Sequence, residues 1–135
     1  MLEADDLETL EAAREARLPD RFEILLAPPG VPRTKPRALN LALRFAEGEH
    51  LVIYDAEDEP EPGQLREAVA SFAAAGSSLG CLQGRLAIDN DREGWLTRLY
   101  ALEYAALFDV INPGLARLGL PIALGGTSNH FRGLM

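Results

Sequence analysis

The chain has a single cysteine, Cys81, set in the apolar run LGCLQGRLAI. One thiol excludes a disulfide framework and a thiolate metal site, and the residue reads as a small core side chain. Basic residues are few and scattered: 13 Lys and Arg stand against 21 Asp and Glu, a net charge of −8. That distribution offers no nucleic-acid surface, so a phosphate-bearing ligand needs locally placed cations or a metal. No uninterrupted apolar segment approaches the roughly 18 residues of a membrane span, and the acidic start is unlike a signal peptide. The chain as written is therefore expected to be soluble and cytoplasmic. Internal repeats, low-complexity tracts and a convincing linker are also missing. At 135 residues it is expected to be one domain, residues 1–135, long enough for a real core but short for most α/β enzymes.

What is present is an alternation of strand and helix signals, which predicts an α/β layer fold. Leu7 to Leu18 reads as a helix with Leu7, Leu10 and Ala13 on one stripe. Phe22 to Ala27 reads as a short strand ended by Pro28-Pro29-Gly30, because consecutive prolines supply no backbone donors. Pro36 to Ala46 is an expected helix, Leu51 to Tyr54 a strand, Gln64 to Ala75 a helix ended by Gly76, and Leu79 to Ile88 a strand. Trp95 to Leu118 follows as a long helical pattern interrupted at Asn112-Pro113-Gly114, and Pro121 to Leu124 as a last short strand.

The densest chemistry lies in LVIYDAEDEPEP, Leu51 to Pro62, where an apolar run meets the carboxylates of Asp55, Glu57, Asp58, Glu59 and Glu61. In doubly wound α/β sheets ligands sit beyond the carboxyl ends of strands, where this turn falls. Extended geometry through Asp55-Ala56-Glu57 can point both carboxylates to one place, a spacing suited to Mg²⁺ or Mn²⁺. The plainer reading is a solvated turn, with Glu59 and Glu61 exposed or favoured by the dipole of the following helix.

Other residues carry two readings each. Asp5 or Asp6 fits a helix cap. Lys35 and Arg37 fit exposed cations or partners for phosphate charge. Gly125-Gly126-Thr127-Ser128-Asn129 permits close backbone approach, by a ligand or merely in a tight turn. His130 reads as a packing or hydrogen-bonding residue before a catalyst. Gln83 and Arg85 fit a strand edge or the wall of a ligand channel. Trp95, Tyr100, Tyr104 and Phe108 form a stripe at helical spacing that core packing explains before a ligand-facing or membrane-proximal surface does, and Glu103 within it reads as a satisfied buried polar residue.

Four blocks, RTKPRALNLAL at Arg33 to Leu43, GEHLVIYDAEDEPEPGQLREAV at Gly48 to Val69, WLTRLYALEYAALFDV at Trp95 to Val110 and LGGTSNHFR at Leu124 to Arg132, stand in an order that spans nearly the whole chain. Together they resemble the middle of a family 2 glycosyltransferase, particularly the bacterial membrane-associated glucan and N-acetylglucosamine polymer synthases that share the cellulose synthase catalytic core. The resemblance implies the nucleotide-diphospho-sugar transferase fold, GT-A: a three-layer α/β sandwich with a mostly parallel sheet, here incomplete at both ends. It implies inverting transfer from a nucleotide-diphosphate sugar, first of all a UDP-sugar, to a glycan acceptor.

On that resemblance Asp55 and Glu57 hold the metal that bridges the diphosphate, with Asp55 also at the nucleotide. The family pattern is usually Asp-any-Asp, so the Glu leaves open whether Glu57 or Asp58 reaches the metal. Asp6, with Asp5 second, would face the uracil base. Lys35, with Arg37 and Asn40 in its segment, would lie near the diphosphate, and Gly126 and Thr127 would border the donor sugar. Relatives carry an earlier strand, a later Thr-Glu-Asp motif whose acid is the general base, a Gln-any-any-Arg-Trp motif and membrane helices. None of these is in the chain, so the isolated chain is expected to be inactive and the full-length protein to sit in the inner membrane with its catalytic domain in the cytoplasm. A non-catalytic nucleotide-binding or accessory module of the same fold is the alternative.

Overall fold

The computed structural model describes residues 1–133. The chain divides between Glu47 and Gly48 into two compact units, which are taken in turn.

The N-terminal unit is built on a short parallel pair. Strand β1 (Leu2–Glu3) lies beside β2 (Leu26–Ala27), with helix α1 (Leu7–Glu15) between them in sequence. The Leu2 amide donates to Leu25 and the Ala4 amide to Ala27, both at 2.9 Å, so the ladder ends where Pro28-Pro29 withdraws its donors. The paired segment is thus two residues of the expected Phe22 to Ala27. Helix α1 stops short of Leu18, because Arg17 turns into the left-handed region at φ 46° and the Arg17 amide closes on Arg14. Helix α2 (Lys35–Ala42) follows, with proline in its first turn, and tightens into a 3₁₀ turn over Leu43–Phe45. Leu10 and Ala27 are its buried apolar side chains among the described residues.

The C-terminal unit holds a three-stranded sheet. Its strands are β3 (His50–Ile53), β4 (Cys81–Gln83) and β5 (Asn129–Arg132), in the order β3-β5-β4. Helix α3 (Gln64–Ala75) links β3 to β4 and ends at Gly76, φ 62°, within the left-handed region that glycine tolerates. Strands β3 and β4 run the same way, but β5 lies between them and is antiparallel to both. A mostly parallel sheet is therefore corrected for this unit. The strand that fills its middle arrives from the far side of a long helical segment, and short β3 and β4 pair with it instead of each other. The described residues show α/β architecture without a full three-layer sandwich.

Register places Val52, His130 and Leu82 side by side across the sheet, with His50 and Arg132 one pleat further along the same face. Helix α3 packs Phe72 there: its ring stacks on His50 at 4.8 Å and lies 5.2 Å under the Arg132 guanidinium. Arg132 donates to the carbonyls of Phe72 (2.8 Å) and Gly76 (2.7 Å) and, through Nε, of Leu79 (3.2 Å), so a cation closes the carbonyl end of α3. Phe72 and Ala68 are the buried apolar residues of this unit among those described.

Helix α4 (Trp95–Ala105), a wide π turn (Ala106–Ile111) and helix α5 (Asn112–Arg117) run on without a break, so Asn112-Pro113-Gly114 does not interrupt the helix. The wide turn precedes Pro113, whose missing N–H and bulky ring an ordinary helical turn would not accommodate. Tyr104 and Phe108 pack on each other at 5.8 Å, but Trp95 is 77% exposed, Tyr100 lies on the surface and Glu103 is exposed, so neither a continuous aromatic core nor a buried acid forms. Residues 121–124 are not a strand; pairing begins at Asn129. No helix among the described residues is long and apolar enough to cross a membrane.

The buried Phe72 ring makes a stability prediction. Phe72→Ala should cost about 3–5 kcal/mol through lost burial and a cavity, and Arg132→Met about 1–3 kcal/mol through carbonyls left without their charged donor. Denaturant unfolding of each variant checks the order of the two losses.

Candidate functional site

The acidic turn begins where β3 ends, and its first four residues close on themselves. The Asp58 amide donates to the Asp55 carbonyl at 3.2 Å, while the Asp55 amide donates to Oδ2 of Asp58 at 2.6 Å. Thr127 completes a clasp: its hydroxyl donates to the same Asp58 oxygen and accepts from the Asp55 amide at 3.1 Å. One carboxylate oxygen thus takes two donors, and the strand end is tied to a residue 72 positions later in the chain. Side chains that satisfy backbone donors in this way fix a turn as firmly as backbone pairing does.

The loop into β5 is held from a second direction. Gln83 Oε1 accepts from the Gly125 amide at 2.6 Å, and its Nε2 donates to the Thr127 carbonyl at 3.1 Å. Asn129 Nδ2 donates to the Gly125 carbonyl at 2.6 Å. Ser128, 5% exposed, adopts the left-handed conformation at φ 54°, which costs a non-glycine residue energy that its surroundings must offset. They do so through the backbone. Its amide donates to the Ile53 carbonyl and its carbonyl accepts from the Gly84 amide, both at 2.7 Å.

These contacts place the expected site residues. Asp55 and Thr127 meet at the clasp; Glu57 lies exposed in the turn beside it; Gly126 is exposed, and a Cβ added to it would meet nothing within 4 Å. Asp6 and Lys35 belong to the N-terminal unit. Asp6 caps α1, accepting from the Thr9 amide at 3.1 Å and from its hydroxyl at 2.7 Å, while Asp5 pairs with Arg33. The Thr9 hydroxyl, then the Thr9 amide, hold the Asp6 carboxyl below the usual carboxylate range. Lys35 is the first residue of α2 and is exposed, and Arg37 pairs with Glu3 at 3.3 Å.

Sequence reading missed Asp58 as the clasp and Gln83 as the loop's holder. Asp58 reaches the Asp55 amide locally, but the Thr127 hydroxyl that closes the clasp lies 69 residues away, and the Gly125 amide held by Gln83 lies 42 residues away. Arg85 likewise turns out to be paired, donating to Asp109 at 2.5 and 2.9 Å, and that bond holds the Asp109 carboxyl low and the guanidinium high. Tyr54 is held above the ordinary phenol range by burial and then by the nearby Asp58 charge.

The residues present can be tested against a divalent cation. Among the described residues no three Asp, Glu, His or Cys side chains stand together as a complete cage. Mg²⁺ is commonly held by one or two protein carboxylates with phosphate and water completing its shell, and Asp55 and Glu57 supply two hard oxygen donors at a fixed strand end. The donor set fits a metal that arrives with a diphosphate.

The family described as Glycosyltransferase like family 2 matches residues 1–108. Neither the comparison with curated proteins nor that with solved structures gives a match.

Asp6 yields a prediction with a definite sign. A carboxyl whose folded value is lowered adds stability above the ordinary aspartate value of about 3.9 and loses it as pH falls through the lowered one. Carboxyl NMR titration should place Asp6 below that ordinary value, and Thr9→Val should move it back up. Asp58→Ala, by opening the clasp, should cost about 1–3 kcal/mol and expose the Asp55 amide to exchange.

Proposed function

The chain belongs to the glycosyltransferase-like family 2, and on that premise we propose that it serves inverting transfer of a sugar from a nucleoside diphosphate, UDP first, to a glycan. The observation that carries this reading is the pinned end of β3. Asp55 has its amide held by Asp58 and Thr127, so its position is set before any ligand arrives. Such preorganisation is what a site facing concentrated phosphate charge requires. Asp58 is committed to the turn, which favours Glu57 as the second carboxylate for a metal.

Bound there, Mg²⁺ or Mn²⁺ would offset the charge of the departing diphosphate. Asp55 and Glu57 would hold it. The family resemblance supports further roles one residue at a time: Lys35 toward phosphate, Asp6 toward the base, Gly126 and Thr127 toward the donor sugar. Glucan or N-acetylglucosamine polymers are the products the quoted blocks favour, and a membrane-held full-length protein would suit them. In the reaction the acceptor oxygen attacks the anomeric carbon, its proton passes to a base, and the carbon–oxygen bond to the diphosphate breaks; no described residue is assigned as that base.

Calorimetric titration with UDP and Mn²⁺ tests this reading. Binding should depend on the metal and weaken about 10- to 100-fold in Asp55→Ala and Glu57→Ala, the loss expected when a charged contact disappears. Metal-independent binding unchanged in both variants would remove these residues from the site. Lys35→Ala should weaken UDP more than uridine, because a lysine acts on phosphate through its charge.

A further inference from the structure

Helix α4 carries a second apolar stripe on its exposed side. Trp95, Leu99 and Leu102 are 77%, 53% and 68% exposed, and Ala106, first residue of the wide turn, is exposed with them. The half-buried Thr97, Ala101, Tyr104 and Phe108 occupy the opposite side of the helix. A surface helix ordinarily turns charge outward, and a row of large apolar side chains left in water marks an interaction surface. The steps between the four positions alternate four, three and four. That is the d-a-d-a spacing of a coiled-coil seam, whose side chains insert between those of a facing helix.

The wide turn keeps the seam in line. Regular α-helix after Ala106 would bring Asp109 to the next seam position, but a π turn slips the helix by one residue and brings Val110, 68% exposed, there instead. Asp109 is left to pair with Arg85. The flanks carry opposite charges. With Trp95 at d, Arg98 falls at g and Glu103 at the e of the next heptad, both exposed and neither in an ion pair among the described residues. In a parallel two-fold pair these two positions face each other across the seam, so each Arg98 meets the Glu103 of the other copy. An antiparallel pair would set Arg98 against Arg98 and Glu103 against Glu103.

We infer that this face is a self-association surface, on which two copies of the chain pair through parallel α4 helices. The occupant is a second copy because the seam complements itself in spacing and in charge. A lipid surface fits less well: the stripe has Arg98 beside it but also Glu103, and a chain of net charge −8 gains nothing from anionic headgroups. The seam is short. It would cover on the order of 500 Å² per copy against roughly 800 Å² in a standard interface, so association in the micromolar range is expected. The inference does not depend on the transferase reading.

Sedimentation equilibrium of the whole chain from about 1 to 300 µM tests it, and should show a monomer passing to a dimer and no further. Trp95 is the chain's one tryptophan, so its emission should shift to the blue over the same range. Leu102→Lys, at an exposed position, should keep the fold and weaken dimerisation about tenfold or more. Arg98→Glu and Glu103→Arg should each weaken it, and the double exchange should restore it, a recovery that only the parallel register gives. A chain monomeric throughout, association indifferent to Leu102→Lys, or a double exchange without recovery overturns the inference. Should Leu102→Lys fail to fold, the charge exchange decides. A blue shift with phosphatidylcholine or phosphatidylglycerol vesicles in a chain that stays monomeric would assign the face to lipid and overturn it as well.

Discussion

The Arg132 guanidinium meets the carbonyls of Phe72, Gly76 and Leu79 at the end of α3, with the Phe72 ring beneath it. This contact ties the middle strand of the sheet to the helix that covers one face, and the site depends on it. Strand β5 alternates in and out of the sheet, so fixing Arg132 against α3 sends His130 to the same face and Asn129 to the other. The residues just before the strand then have little freedom. Ser128 must turn left-handed to pass between Ile53 and Gly84, and Thr127 arrives against Asp55 and Asp58. A helix cap, a sheet register and a turn clasp are thus successive consequences of where one strand is seated.

The turn's carboxylates divide their work accordingly. Asp58 is spent on structure, accepting from the Asp55 amide and the Thr127 hydroxyl. Asp55 is held by its amide, and Glu57, Glu59 and Glu61 remain exposed. Like charges so close would repel one another in any fold, and the helix dipole of α3 relieves only those near its first turn. Their accumulation is intelligible if a cation is expected at the strand end of the turn, since hard cations take negative oxygen.

Much of this was legible in the chain itself. The helix Gln64–Ala75 was read to the residue, because helix formers run unbroken up to a glycine that must end it. The strand before the acidic turn is displaced by one residue, as His50–Ile53 instead of Leu51 to Tyr54. Local signals failed where the chain is held by distant partners. Residues 121–124 look like a strand by composition, but the pairing partners of β3 and β4 are the residues Asn129–Arg132, and the preceding loop is satisfied by Gln83 and Asn129 side chains. Asp6 was open between a cap and a ligand contact; geometry shows the cap, and a base contact would have to share a carboxylate already taken by Thr9.

His130 shows a feature of the sheet that composition alone does not carry. A single histidine near an apolar strand is ordinarily a packed or satisfied residue, and its neighbours Val52 and Leu82 are indeed apolar. Packing, however, does not account for a buried ring nitrogen left without a hydrogen-bond partner two residues from one strained into the left-handed region. Two costs two residues apart are hard to reconcile with a segment that serves stability alone, because an apolar side chain at 130 and a glycine at 128 would lower both. The penalty falls on the strand that Arg132 anchors, where the sheet has interactions enough to sustain it.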